Sequence, residues 1–131
     1  MMKKMIYAIV AVFITFSIVG FIVHGLILAP AYQATASLWR PMAEMKMGLI
    51  YFVYLLTAFV FVFIYSRFVG EKNTKNALLY GVLFGFGAGV SMGYGTFSSM
   101  PIPYFMALTW FLGNVVEYTI AGWLVGMIVK N

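Results

Sequence analysis

Glu117 is the acidic residue that could most clearly take part in chemistry, because it lies inside an apolar stretch long enough to be a membrane helix. A carboxylate at the centre of a bilayer costs roughly 2.5–3.5 kcal/mol on insertion scales, so it is expected to be protonated, paired or turned toward protein. Asn114 and Tyr118 are its polar neighbours. Two interpretations stay open: a proton- or ion-coupled site, and a glutamate that joins helices or subunits.

His24 is the single histidine of the chain, and Gly25 follows it. Neutral imidazole is a common metal ligand, and a small neighbour would let a haem or a pigment approach. With one histidine and no cysteine, a bis-histidine haem within this chain is excluded. The alternative is a histidine near the membrane surface that hydrogen-bonds to Trp39, Arg40 or Glu44.

The segment after the first apolar run adds a third polar set, in the sequence LWRPMAE. Arg40 and Glu44 are four residues apart and could pair on a helix. With His24 and Trp39 they form a predicted outer-mouth cluster that could bind a headgroup, a small anion or a partner protein. The simpler interpretation is an interfacial anchor whose charges are solvated.

Catalysis by this chain alone is not expected, because no acid and base pair falls at one membrane depth. The sequence contains no phosphate-binding loop, zinc-binding HExxH helix, nucleophile elbow or dinucleotide fingerprint. No metal site and no catalytic residue are predicted. No cofactor is predicted either, although a bound lipid, quinone or pigment stays open.

The composition shows which environment positions these residues. Hydrophobic residues make up 64% of the 131 residues and charged residues only 8%, with a mean hydropathy of +1.00. Soluble domains carry about 25% charged residues. The chain is therefore predicted to be an integral membrane protein, and its net charge of +5 reflects membrane orientation rather than nucleic-acid binding.

Four apolar stretches predict an all-α polytopic fold, a four-helix antiparallel bundle in one transmembrane domain. The predicted helices cover residues 5–29, 42–69, 75–97 and 103–129, with an outer connection over 30–47. Pro41 suits the first turn of the second helix, and Asn73 or Thr74 suits the N-cap of the third. The connection is predicted to be an amphipathic interfacial segment with Tyr32 and Trp39 at headgroup depth.

Basic residues predict the orientation. Two of them, Arg40 and Lys46, flank one side of the membrane, and six flank the other. The positive-inside rule then places both termini and the turn over residues 70–76 in the cytoplasm. The six are Lys3, Lys4, Arg67, Lys72, Lys75 and Lys130.

Glycines recur every four residues in the third helix, at Gly81, Gly85, Gly89 and Gly93. On a helix this spacing forms one stripe, a glycine zipper against which another backbone can press. The expected partner is the face of the fourth helix with Gly113, Asn114, Glu117 and Ala121, continued by Gly122 and Gly126. A neighbouring subunit is the alternative.

Two runs carry a resemblance to a known group: HGLILAPAYQATASLWRPMAEM over residues 24–45 and SSMPIPYFMALTWFLGNVVEYTIAG over residues 98–122. In them the sequence resembles small bacterial four-span membrane proteins that have no assigned activity. The resemblance implies the four-span fold and the bacterial cytoplasmic (inner) membrane, and it adds no mechanism.

Three functions are compatible with these features. The first is a non-catalytic accessory or structural subunit of a larger respiratory or photosynthetic membrane complex, with other membrane subunits or itself as partners. The second is a small homo-oligomeric transporter or channel with Glu117 as the coupled residue. The third is a lipid- or quinone-binding membrane protein that uses the outer-mouth cluster.

Overall fold

The computed structural model describes residues 2–130, and this part of the chain is helical with no strand. Four helices are long and apolar enough to cross a membrane, so the chain has the build of a multi-pass membrane protein. We call them the first to fourth spans. Their bounds are Met2–Ile27, Met47–Phe68, Thr74–Ser99 and Tyr104–Ile128.

The second span begins at Met47 and not at Met42, which corrects the predicted boundary. Pro41 does start a helical turn, but this is a single 3-10 turn over Met42–Glu44. The backbone is then extended at Met45 and non-helical at Lys46. Glu44 and Lys46 interrupt the apolar sequence here, and the continuous helix starts only at Met47, where the uninterrupted apolar run begins.

The first span ends at Ile27, where Leu28 leaves the helical conformation with φ −94° and ψ 1°. Pro30 follows in the first turn of a short helix, Ala29–Ala34, a position where its missing N–H group is not needed. The predicted connection therefore contains ordered turns. Tyr32 and Trp39 pack against a core at this end of the bundle, beside buried Leu28.

The first span lies between the second and the fourth, and the fourth also packs along the third. The second and third spans meet through bulky side chains. Phe61 contacts Tyr80 and Phe84 with ring centroids 4.6 and 5.1 Å apart, and the Tyr80 hydroxyl donates a hydrogen bond of 2.6 Å to the Phe61 carbonyl. These contacts close the four-helix bundle.

The third and fourth spans approach backbone to backbone. The four glycines of the stripe are buried, and an added Cβ would meet the fourth span at each one. At Gly85 it would lie 2.7 Å from the Asn114 carbonyl oxygen. At Gly93 it would lie 2.5 Å from the Ala107 carbonyl oxygen, and at Gly81 it would collide with the Tyr118 carbonyl. The stripe thus faces the fourth span of the same chain.

The contacting face of the fourth span differs from the expected one. It contains Phe111, Asn114 and Tyr118, continued by Gly122, which meets the Ala77 carbonyl. Glu117 is not on it. Residues 111, 114, 118 and 122 share one helical stripe, whereas position 117 is turned by roughly 100° from position 118. Only Asn114 and Gly122 of the expected set face the glycines.

Two of the spans contain π-helical segments, over Phe21–Ile27 in the first and Val90–Gly95 in the third. At the end of the first segment the Leu28 N–H donates to the Val23 carbonyl at 2.9 Å, a five-residue step. Such segments widen a helix locally and are frequent at functional sites. They place His24 and Met92 beside the same space in the bundle.

Candidate functional site

His24 and Met92 line two adjoining spaces, together with Gly20 and Tyr54. We call the smaller one the Glu117 cavity and the larger one the connection groove. The Glu117 cavity lies between the first, second and fourth spans, with Met92 from the third. The connection groove lies between the first span, the connecting segment and the start of the second span. The two spaces adjoin at the four shared residues.

The polar end of the connection groove is an aromatic cluster of His24, Tyr32, Trp39 and Trp110. The Tyr32 hydroxyl is its centre: it accepts a hydrogen bond of 2.9 Å from Trp110 Nε1–H and lies 2.6 Å from His24 Nδ1. Trp39 packs edge-on against both Tyr32 and Trp110, with centroids 5.3 and 6.0 Å apart. The cluster joins the first span, the connection and the fourth span.

Burial raises the pKa of Tyr32 to about 12, while the hydrogen bond from Trp110 acts in the opposite direction. Tyr32 therefore keeps its phenolic proton at neutral pH. Because the Tyr32 oxygen accepts from Trp110, we infer that the Tyr32 O–H donates its hydrogen bond to His24 Nδ1. The neutral imidazole then carries its own proton on Nε2. Nε2 is then the nitrogen that His24 can offer to a ligand.

The connection groove has a volume of about 1000 Å³ and mostly apolar walls. Arg40 is the one cationic residue among those that line it, and its side chain is exposed. Apolar residues from the first span, the connection and the second span complete the wall. They include Phe21, Met42, Met45, Met47, Ile50 and Tyr51.

The predicted outer-mouth cluster is thus brought together only in part. His24, Trp39 and Arg40 line the connection groove, whereas Glu44 does not. Within residues 2–130, Arg40 and Glu44 form no ion pair, so the pairing that their spacing allowed is not made. The reason is the 3-10 turn after Pro41, which interrupts the helix on which a four-residue spacing would align the two side chains.

The Glu117 cavity has a volume of about 240 Å³. Three aromatic side chains line it: Phe16 from the first span, Tyr54 from the second and Tyr118 from the fourth. Thr57 and Asn114 add polar atoms. Glu117 is therefore a half-buried carboxyl group that faces a space of roughly the size of a small organic molecule.

The polar neighbours of Glu117 are engaged elsewhere. Asn114 donates hydrogen bonds to the Trp110 carbonyl at 2.7 Å and to Met92 Sδ at 3.5 Å. Tyr118 packs its ring against Phe16, Phe61 and Phe84. In the described part of the chain, no side chain or backbone group forms a hydrogen bond or ion pair with Glu117.

Four residues of these sites were not expected from the sequence: Tyr32 as a hydrogen-bond centre, Tyr54, Met92 and Trp110. Tyr54, Met92 and Trp110 are aromatic or apolar residues in apolar runs, where most such residues only pack or face lipid. Gly20 gives a partial signal for Tyr54, because a Cβ there would lie 2.7 Å from the Tyr54 hydroxyl. Nothing in the sequence marks Met92.

Comparison with known protein families, with curated proteins and with solved structures finds no match to this chain.

Proposed function

We propose that the protein binds an amphipathic membrane molecule, a lipid or a quinone, in the connection groove. The observation that supports this most directly is the groove itself: about 1000 Å³ of mostly apolar space that ends at hydrogen-bonding groups. Ligand sites typically combine apolar walls with a few convergent polar groups. The shared chemistry of the two ligand classes is a long apolar chain with a hydrogen-bond-accepting headgroup.

The polar end of the groove favours a headgroup that accepts hydrogen bonds. His24 Nε2–H is available as a donor once Nδ1 is occupied by Tyr32. Arg40 adds a fixed positive charge that would attract a phosphate, and it has no acidic partner within residues 2–130. A phospholipid would use both residues, whereas a quinone carbonyl would depend mainly on His24.

Tryptophan fluorescence tests this proposal. Trp39 and Trp110 line the groove, and Trp123 on the fourth span does not, so a Trp123→Phe background leaves the two reporters in place. The detergent-purified protein is titrated separately with brominated phosphatidylglycerol and with a menaquinone analogue, both of which quench tryptophan. Saturable quenching by either one supports the proposal, and the stronger of the two identifies the ligand class.

Arg40→Gln and Lys46→Gln provide a matched pair, because both remove one positive charge from the connection and only Arg40 lines the groove. We expect Arg40→Gln to weaken phosphatidylglycerol binding several-fold and Lys46→Gln to leave it unchanged. Equal effects of the two substitutions would mean that surface charge attracts the probe and that it does not bind in the groove. Quenching that never saturates with either probe would reject the groove as a binding site.

For the orientation we propose that both termini and residues 70–76 face the cytoplasm of a bacterial inner membrane. Six basic residues at that end, against two at the other, support this placement. The chain has no cysteine, so single cysteines can be introduced without background. In intact cells, an impermeant maleimide should label Ser99→Cys and not Asn73→Cys. The reverse labelling would invert the topology.

The accessory-subunit role stays a second proposal, supported only by the few charged residues of the chain. Purification of the protein in a mild detergent tests this role. A stoichiometric membrane-protein partner that co-purifies would favour this role, and a chain that runs alone at monomer mass would count against it.

A further inference from the structure

We propose that the Glu117 cavity binds a small organic monocation, whose charge pairs with the Glu117 carboxylate and whose apolar groups contact the aromatic wall. This site is separate from the connection groove and does not depend on lipid or quinone binding there. Its chemistry differs as well: the groove offers a positive charge and donors, whereas the cavity offers a carboxyl group.

The charge balance of the cavity is the first argument. Its lining contains Glu117 and no lysine or arginine. In the described residues Glu117 has no ion pair and no hydrogen-bond partner. An ionised carboxylate in such surroundings is strongly disfavoured unless a positive charge joins it, so the site selects a cation or a proton.

The walls of the cavity provide the second argument, because they favour an organic cation over a metal ion. Phe16, Tyr54 and Tyr118 present aromatic rings, and a quaternary ammonium group is attracted to ring faces. Hard metal cations such as Ca²⁺ instead take about six to eight oxygen ligands. Within residues 2–130, no group of three or more histidine, cysteine, aspartate or glutamate side chains is placed to hold a metal.

The size and position of the cavity give the third argument. A volume of about 240 Å³ exceeds what one bound proton or one water molecule would need. Gly20, His24, Tyr54 and Met92 border both the cavity and the connection groove. The cavity and the groove therefore adjoin at these four residues.

Proton exchange follows from this pairing. If the free site holds a protonated Glu117, cation binding releases that proton and leaves the carboxylate paired with the ligand. The other titratable groups that face the cavity are His24 from the first span, Tyr54 from the second and Tyr118 from the fourth, while the third contributes only Met92. We expect affinity to rise with pH, and His24→Gln to keep that rise.

Isothermal titration of the detergent-purified chain with benzyltrimethylammonium tests the proposal. We expect saturable binding with proton release, seen as a dependence of the measured heat on the buffer. Glu117→Gln should lower the affinity by at least about tenfold and abolish proton release. Glu44→Gln removes the same charge outside both spaces and should bind like the unmodified chain.

A second variant covers the case in which Glu117→Gln fails to fold. Thr57→Phe keeps the carboxyl group but fills the cavity, so it should also lose binding. Neopentylbenzene, in which carbon replaces the charged nitrogen, should not compete with the cation. Equal affinity of Glu117→Gln, effective competition by the neutral compound, or retained binding in Thr57→Phe would each overturn the proposal, as would the absence of saturable binding.

Discussion

The two sides of this bundle are built in opposite ways. The third and fourth spans touch backbone to backbone along the buried glycines, with carbonyl groups where a Cβ would be. The first and second spans approach each other less closely, and both the Glu117 cavity and the connection groove lie beside them. Close packing therefore fixes one pair of helices, while the other pair leaves space for ligands.

This difference shows how a bundle of four apolar helices can hold a polar group in its interior. In lipid, helix association depends on close van der Waals contact and not on hydrophobic burial. The glycine-lined pair supplies that contact in a compact form. The first and second spans, which pack less closely, leave open volume beside Glu117 of the fourth span and His24 of the first.

The largest expected effect comes from a bulky residue in the glycine-lined pair. Gly85→Leu should destabilise the fold by about 3 kcal/mol or more, because its Cβ would lie 2.7 Å from the Asn114 carbonyl oxygen and the spans must separate. Gly87→Leu is the matched control, since nothing lies within 4 Å of a Cβ there. Unfolding in SDS, followed by circular dichroism, measures both. Equal stability of the two variants would contradict the close contact.

The next effect concerns the side-chain contact between the second and third spans. Phe61→Ala should cost about 3–5 kcal/mol, because Phe61 is fully buried among the rings of Tyr80, Phe84 and Tyr118. Phe59→Ala, on the same span but 49% exposed, should change little. The same SDS titration compares them. A small loss of stability in Phe61→Ala would mean that this ring contact contributes little to holding the two spans together.

A smaller effect is expected in the aromatic cluster. Tyr32→Phe leaves the buried Trp110 Nε1–H without its acceptor and should cost about 1–3 kcal/mol. Tyr51→Phe is the control, because Tyr51 lines the same groove and its hydroxyl forms no hydrogen bond within residues 2–130. Thermal unfolding measures the loss, and a change in Trp110 emission should accompany it. Identical melting of both variants would argue against the hydrogen bond.

The smallest effect is a dependence on alkaline pH. Because burial raises the pKa of Tyr32 to about 12, the folded state favours the neutral phenol. The stabilisation is complete below the ordinary tyrosine pKa of about 10 and is lost as the pH rises through 12. The difference in tyrosinate absorbance between the unmodified chain and Tyr32→Phe should thus appear only near pH 12. A difference already complete at pH 10 would contradict this burial.

Much of the fold could be predicted because membrane helices are long apolar runs. All four spans were expected, and the Asn73 cap is confirmed by the hydrogen bond of 2.8 Å that its side chain accepts from the Asn76 N–H. The start of the second span was wrong, since Pro41 permits a helix without extending it. Local propensity does not determine how far such a turn continues.

The candidate sites were harder to predict because they depend on helix rotation. His24 and Glu117 were recognised as unusual residues, yet they line one cavity only because π segments and helix packing bring them together. The contact of Tyr32 with Trp110 joins residues 78 positions apart. A single sequence contains no direct signal for such a pair.

The π segment at Phe21–Ile27 also determines which way the end of the first span next to the connection points. A continuous α-helix turns each residue by roughly 100°, so deletion of a single residue that restored α geometry would rotate His24 away from Tyr32. The segment thus works as a one-residue spacer. The number of residues in this segment, as much as their chemistry, therefore determines the direction of the His24 imidazole.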